Sequence, residues 1–426
     1  MDISSIHEIF LKSSGVSTDT RKIFSGCLFV AIKGANFDAN TFAAEALAKG
    51  AAHTIIDNPE FYIDERTILV NDSLATLQEL STFHREWLGI PIVSLTGSNG
   101  KTTTKELINA VLKKKYKCAA TFGNLNNHIG VPLTLLSFTR ETEIGIVEMG
   151  ANHQKEIEFL CRLAKPDFGY ITNFGKAHLE GFGGVEGVIR GKSEMYDYLR
   201  NNGKTAFVNL DDPIQERRSE GIKRFSFSIG SPADVEIDAI SADPFVKITY
   251  NTVNIQSNLI GAYNAPNIIA AIAIGTFFNV AQSDIKSAIE SYTPDNNRSQ
   301  LITRGSNEII LDAYNANPSS MMAAIDNFRK LQKPEKVAIL GDMFELGAES
   351  LQEHKNILEQ AAKASGVGFH FVGKDFFAVK AAFPEAKFFE NYELLREHLQ
   401  NCKIENSLML IKGSRGMALE RILEEI

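Results

Sequence analysis

Val93-Ser94-Leu95-Thr96-Gly97-Ser98-Asn99-Gly100-Lys101-Thr102-Thr103-Thr104 reads as the end of a strand, a glycine-rich turn and the start of a helix, and this reading decides the fold class. The apolar run 90–95 supplies the strand. Gly97 and Gly100 permit positive φ and leave backbone amides free to face an anion. A helix expected over 102–115 points its N-terminus at the same place. Lys101 can reach β- and γ-phosphates, and the Thr102 hydroxyl can hold Mg²⁺. Thr96, Gly97, Ser98, Asn99, Gly100, Lys101, Thr102 and Thr103 are therefore the candidate nucleotide-phosphate site. Two residues separate the glycines, where the general P-loop has four. The bland alternative is a glycine-rich turn with an incidental lysine, but strand, loop and helix stand in the order the chemistry requires.

Working outward, strand and helix patterns alternate. Strands are expected over 144–148, 168–172 and 205–209, with helices over 154–163 and 185–199 between them, the signature of a parallel sheet covered on both faces. Residues 224–260 change to short alternating runs such as Val246-Lys247-Ile248-Thr249-Tyr250, which predict an antiparallel appendage, and a helix over 266–278 returns to the core. Before this block, strands at 26–32 and 67–70 and helices at 42–49 and 73–88 make a small α/β unit. After it, strands at 309–312, 337–340, 369–372 and 409–411 make another open α/β sheet. The expected fold is α/β in three domains: a small N-terminal unit over 1–85, a central P-loop parallel-sheet domain over 86–294, and a Rossmann-like unit over 295–426.

Composition narrows the function classes. Of the 426 residues, 44% are hydrophobic and 23% charged, as in water-borne globular chains. No apolar run approaches the roughly 18 residues that span a bilayer, and the opening residues carry acids and a histidine rather than a signal-peptide pattern. The four cysteines are scattered without a CxxC pair, so neither a disulfide framework nor a zinc site is expected, and a reducing cytoplasm is. A net charge of -8 argues against a nucleic-acid partner.

The short loop TGSNGKTT resembles that of the Mur ligases and the related folylpolyglutamate synthases, and motifs from residue 17 to residue 421 resemble the Mur ligase family over nearly the whole chain. The resemblance implies an ATP-dependent amide-bond ligase that works with Mg²⁺. Glu148, at the end of Ile146-Val147-Glu148, is placed for Mg²⁺ by its strand-end position beside the P-loop. His178 in Thr172-Asn173-Phe174-Gly175-Lys176-Ala177-His178 matches a family metal ligand. Lys192 in Gly191-Lys192-Ser193-Glu194-Met195 matches a lysine that is often carbamylated, which turns a cation into a carboxylate-like metal ligand. By itself Lys192 reads as a surface lysine. Asn126 and Asn127 lie in an amide-rich loop that the family sets near substrate, and Asn267, in a second such loop, is a candidate for reading adenine. The alternative for each is a helix cap.

The outer units carry the rest. Ser17-Thr18-Asp19-Thr20-Arg21 and the strand ending in Lys33 resemble the family's UDP-recognition domain, which implies Thr20, Arg21 and Lys33 as donors to uracil or diphosphate. Phe37-Asp38-Ala39-Asn40 departs from the family's Asp-Gly-His form there. Arg298 resembles a linker arginine near ATP. Asp312-Ala313-Tyr314-Asn315-Ala316-Asn317-Pro318-Ser319-Ser320 has the form of the branch that adds D-alanyl-D-alanine, whereas relatives adding a diamino acid carry a Tyr-Ala-His form. This implies Asp312 at ATP and Tyr314, Asn315 and Asn317 at substrate. Lys412-Gly413-Ser414-Arg415-Gly416-Met417 matches the same branch. It reads as a helix opening after a strand, with Ser414 and Arg415 facing a carboxylate.

The implied partners are UDP-N-acetylmuramoyl-tripeptide and D-alanyl-D-alanine, met by a monomer. Two rival readings remain at this level: a sibling amide ligase, and a P-loop ATPase switch that needs no amine acceptor.

Overall fold

The computed structural model describes residues 1–426. A seven-stranded sheet lies at its centre, in the spatial order Val235–Ile237, Lys223–Ile229, Thr205–Asn209, Phe168–Ile171, Ile92–Thr96, Ile144–Glu148 and Cys118–Ala120, with every pairing parallel. Ile92–Thr96 and Ile144–Glu148 are buried at every position, because helices cover both faces. Successive side chains divide between two cores. Val93 and Leu95 pack with the helices Lys101–Leu112 and Ala265–Phe277, while Ile92 packs with Glu156–Ala164 and Val185–Asn201.

The order of the strands makes the site. The chain starts mid-sheet at Ile92–Thr96, crosses to the edge at Cys118–Ala120, and returns to Ile144–Glu148. It then passes to the other side at Phe168–Ile171. That reversal opens a crevice beyond the carboxyl end of Ile92–Thr96, flanked by the loops that follow its two neighbours.

The N-terminal unit is a four-stranded parallel sheet of Val16–Ser17, Leu28–Val30, His53–Ile56 and Thr67–Leu69, with a helix at Ile3–Lys12 that the sequence reading left unassigned. The helix Ser73–Leu88 begins where Asp72 accepts from the Ala75 amide and ends at Gly89 with φ 63°. It ties this unit to the centre. Arg85 on its last turn donates to the carbonyls of Ala164 and Lys165 and pairs with Asp167 at 2.8 Å.

The third sheet has the order Gln300–Arg304, Asn307–Asp312, Leu408–Lys412, Lys336–Gly341, Gly368–Val372 and Lys387–Phe389, parallel except for its first, antiparallel edge strand.

The segment 224–260 corrects the sequence reading. Only Ala239–Ala242, Phe245–Tyr250 and Val253–Ile260 form an antiparallel sheet. Lys223–Ile229 and Val235–Ile237 extend the central parallel sheet instead. A strand near a sheet's margin is only partly buried, so its residues alternate as those of an antiparallel hairpin do. Periodicity reports burial and not the direction of the neighbour.

Candidate active site

The phosphate loop is held from beneath and from one side. Gly97 (φ 142°) and Gly100 (φ 79°) take conformations that suit glycine, and a Cβ on either would overlap Thr172 or Asn267. Asn267, 6% exposed, accepts from the Thr104 hydroxyl at 3.0 Å and donates to Asn264 at 2.9 Å. It is thus a support under Gly100, bonded to both Thr104 and Asn264. Alongside, Ser98 donates to the Gly175 carbonyl, and the Asn99 amide donates to Asn173 Oδ1. The Asn99 carbonyl accepts from Thr172 and Asn173. The loop after Phe168–Ile171 therefore splints the phosphate loop. Lys101 Nζ folds back on the Gly97 carbonyl at 2.8 Å. Its burial pushes its ammonium below the usual lysine range, with Glu148 opposing the shift and Arg298 adding to it.

Glu148 ends its strand nearly fully buried. Its Oε1 accepts from Asn126 Nδ2 at 2.7 Å, and its Oε2 has no partner. A buried carboxylate oxygen left bare suits a cation. Asn126 orients that carboxylate. Asn127 has the blander role: its side chain accepts from the amides of Ile129 and Gly130, at the start of the helix Gly130–Leu136. His178, at φ 54°, turns its Nδ1 to within 2.5 Å of Glu345 Oε2, outside hydrogen-bonding alignment. The contact holds the Glu345 carboxyl below the usual range.

Lys192 is not the surface lysine that its local sequence suggests. It is 1% exposed, donates to the Ala151 carbonyl at 3.1 Å and lies 5.0 Å from the centre of the Phe182 ring. Burial, with a smaller contribution from Lys101, depresses its pKa well below that of a free lysine. No group of three or more His, Cys, Asp or Glu side chains converges as a ready-made metal site.

One cavity of about 790 Å³ collects most of these groups. From the central unit it is lined by Ser98, Asn99, Gly100, Lys101, Thr102, Thr103, Asn126, Asn127, Glu148, His178 and Asn267, and Arg298 joins them from the start of the third. From the third unit it is lined by Asp312, Tyr314, Asn315 and Asn317. Thr96 and Gly97 lie behind the loop, and Lys192 lies behind the wall. Arg298 stacks 3.7 Å over the Tyr314 ring. Asn315 Oδ1 accepts from the neighbouring Ala316 amide. Lys412 also lines the cavity, paired with Asp312 at 2.6 Å from the facing strand and donating to the Asn315 carbonyl. The sequence reading quoted Lys412 but gave it no role, because the spacing of one hundred residues hides a cross-strand pair. Glu345, which meets His178, and Phe344, whose amide donates to Ser414, stand in a segment that matches the family but carries no legible role, since their partners are distant in sequence.

The expectation of a helix after Leu408–Lys412 is corrected. After Leu408–Lys412 the chain forms only short 3₁₀ turns, Arg415–Met417 and Leu419–Glu424, so this strand is not followed by an α-helix N-terminus. Ser414, 2% exposed, accepts from the Phe344 amide, and Arg415 pairs with Glu420 at 2.7 Å with its guanidinium 5.9 Å from the centre of the Tyr314 ring. Thr20, Arg21 and Lys33 lie outside this cavity. The Arg21 side chain is 86% exposed and bonded to Asp19 in its own turn.

A splinted phosphate loop, a bare buried carboxylate and a second α/β unit closing the same cleft define an ATP-dependent ligase. Family models agree: Mur ligase middle domain matches residues 95–275, and Mur ligase, glutamate ligase domain matches residues 297–415. The chain belongs to the Mur ligase family.

Within the family its similarities are specific. It is 35% identical to the UDP-N-acetylmuramoyl-tripeptide--D-alanyl-D-alanine ligase of Bacillus subtilis, over 97% of this chain and 93% of that protein. It is 34% identical to the enzyme of the same name from Escherichia coli, over 96% and 93%. Crystal structure I of MurF from Acinetobacter baumannii superposes with a TM-score of 0.88 at 29% identity, covering 99% of this chain and 98% of that one. MurF from Thermotoga maritima, solved in complex with ADP, gives 0.84 at 26% identity, covering 98% and 97%.

Proposed function

We propose that this chain joins D-alanyl-D-alanine to UDP-N-acetylmuramoyl-tripeptide, using ATP, in the synthesis of a peptidoglycan precursor. The observation that carries the reading is the meeting of two motifs in one cavity: the phosphate loop on the central unit, and Asp312 to Asn317, in the dipeptide-adding form, on the third. The curated relatives bear that activity in their names over nearly the full length of this chain. Residues 1–85 hold the UDP end of the precursor, with Thr20, Arg21 and Lys33 as its donors. Residues 86–294 hold ATP, and residues 295–426 hold the dipeptide. The enzyme works as a monomer in the cytoplasm, where its separated free cysteines stay reduced.

The chemistry follows from the donors. A carboxylate is a poor acyl donor. Its oxygen attacks the γ-phosphorus of ATP, ADP leaves, and an acyl phosphate forms. The dipeptide amine then attacks the acyl carbon, a tetrahedral intermediate collapses, and phosphate leaves with the amine's proton lost to solvent. Both steps depend on position and charge more than on a protein nucleophile. Lys101, released from the Gly97 carbonyl, follows the β- and γ-phosphates. Arg298, stacked on Tyr314, offers a second cation. Asn126 keeps Glu148 aimed at the phosphate side.

Glu148, through its bare oxygen, and Thr102 would hold Mg²⁺, which would neutralise phosphate charge there. His178 would supply a further ligand on leaving Glu345. Lys192 suits carbamylation, since its buried amine favours the neutral form that adds to CO₂.

The test is product mass after incubation with UDP-tripeptide, ATP, Mg²⁺ and each acceptor in turn: D-alanyl-D-alanine, meso-diaminopimelate, lysine or glutamate. Addition of the dipeptide alone is expected. A product carrying one free amino acid would leave only the family-level activity, and phosphate release without any acceptor would favour an ATPase switch.

A further inference from the structure

The helix Pro318–Lys330 of the third unit begins against the phosphate loop of the central one. Asn317 caps it: the Asn317 Oδ1 accepts from the Ser320 amide at 2.9 Å, and the Asn317 amide donates to Ser320 Oγ at 3.1 Å. The cap commits the side-chain oxygen, so the other end of that amide must be the donor. It donates to Asn99 Oδ1 at 2.7 Å, which fixes the orientation of the Asn99 amide as well. Asn99 stands between Gly97 and Gly100 at the tip of the phosphate loop, with its backbone already held by Thr172 and Asn173. Both asparagines line the cavity, and Asn317 is 8% exposed. Two further contacts seat the same helix and its neighbour. The Lys176 amide donates to Ser319 Oγ at 2.9 Å, and Lys176 Nζ pairs at 2.5 Å with Glu353, whose side chain is 6% exposed.

We propose that Asn317 is a positioning residue that makes the working geometry of the phosphate loop depend on the seating of the third unit. Ser, Thr, Asp and Asn all cap helices well. Of these, only Asn carries its donor on a second atom beyond the capping one: Asp has none, and a Ser or Thr hydroxyl can donate only from the capping oxygen itself. A residue chosen for the helix alone would not need that donor. In the ligase reading, on which this inference rests, the third unit brings the amine. Asn317 then ties the loop that activates the carboxylate to the arrival of the unit that captures the acyl phosphate, which limits loss of the activated intermediate to water.

Asn317→Ser and Asn317→Thr keep the cap and lose the reach to Asn99. Each is expected to lower kcat about tenfold, the upper range for one hydrogen bond, with the KM for ATP within about twofold. The thermal midpoint should stay within about 2 °C, since the cap survives. Asn99→Ala should give a similar loss without touching the helix, and the double variant Asn99→Ala with Asn317→Ser should lose no more than either alone. Small-angle scattering with ADP and Mg²⁺ gives a readout independent of the acceptor: the Asn317 variants should show a larger radius of gyration than the parent. An unchanged kcat, or losses that multiply in the double variant, would overturn the coupling. If the parent shows no dipeptide-dependent turnover, the ligase reading falls, and the scattering comparison alone decides whether Asn317 seats the third unit.

Discussion

The carboxyl edges of the central and third sheets face each other across one cleft, yet they are finished differently. The central edge exposes unfinished chemistry. Glu148 keeps a bare buried oxygen, and Lys101 is parked on a backbone carbonyl. The third edge is closed on itself. Asp312 is paired with Lys412, Ser414 is bonded to the Phe344 amide, and Arg415 is turned to Glu420. The difference teaches how labour is divided. The edge that carries the phosphate loop holds its charges ready at a cost in unsatisfied groups, while the opposing edge is a wall whose charges are already paired.

The sharpest way to break this contrast is to open the wall. Lys412→Ala leaves Asp312 with an unpaired charge in a largely buried place, and should destabilise the third unit by about 3–5 kcal/mol. Denaturant unfolding followed by hydrogen exchange in Asn307–Asp312 would measure it. Replacing both members with Asp312→Asn and Lys412→Met should cost clearly less, and equal losses would deny the pair its structural role.

Next is the central edge. Lys101→Ala should reduce turnover by about 10²–10³-fold, the range for a preorganised donor to developing charge, with the fold intact by circular dichroism. Near-normal turnover would mean that the loop does not handle phosphate.

Acid should also separate the two sheets. His370, on Gly368–Val372, is pushed down to about 4 by burial, with Lys387 and His398 adding to the shift. Its folded pKa lies below the unfolded value, so the unfolded chain binds the extra proton first. Stability is then full above about pH 6.5 and falls by up to about 3 kcal/mol as pH drops toward 4. Exchange in the third sheet should accelerate over that window, and His370→Gln should flatten the response. An identical acid profile in parent and variant would refute it.

A smaller effect concerns orientation of the carboxylate. Asn126→Ala frees Glu148 Oε1, and should raise the Mg²⁺ concentration for half-maximal rate about tenfold, as loss of a partner behind a metal ligand does. The smallest is Arg415→Ala. Because Arg415 lies outside the cavity and is bound to Glu420, the KM for the dipeptide should change by less than about threefold. A larger rise would show that the arginine swings into the cleft when the acceptor binds.

The sequence by itself determined the strand, turn and helix around Lys101. It also determined the bounds of Ser73–Leu88, set by Asp72 and Gly89, and the strands Ile144–Glu148 and Thr205–Asn209. Each is written in neighbouring residues: apolar period, a capping side chain, a glycine where φ must be positive. The metal-ligand roles proposed for Glu148, His178 and Lys192 came from resemblance to a family, since spacing alone did not supply them. Tertiary structure decided the rest. It placed Lys223–Ile229 in the parallel sheet, turned Asn267 beneath Gly100, reduced Asn127 to a helix cap, and set Lys412 across from Asp312. It buried Lys192, whose helix position looked solvent-facing, and paired Arg415 with Glu420. Strand neighbours and the direction of a polar side chain are fixed by packing between segments tens to hundreds of residues apart, and no local pattern encodes the partner that satisfies a given donor or charge.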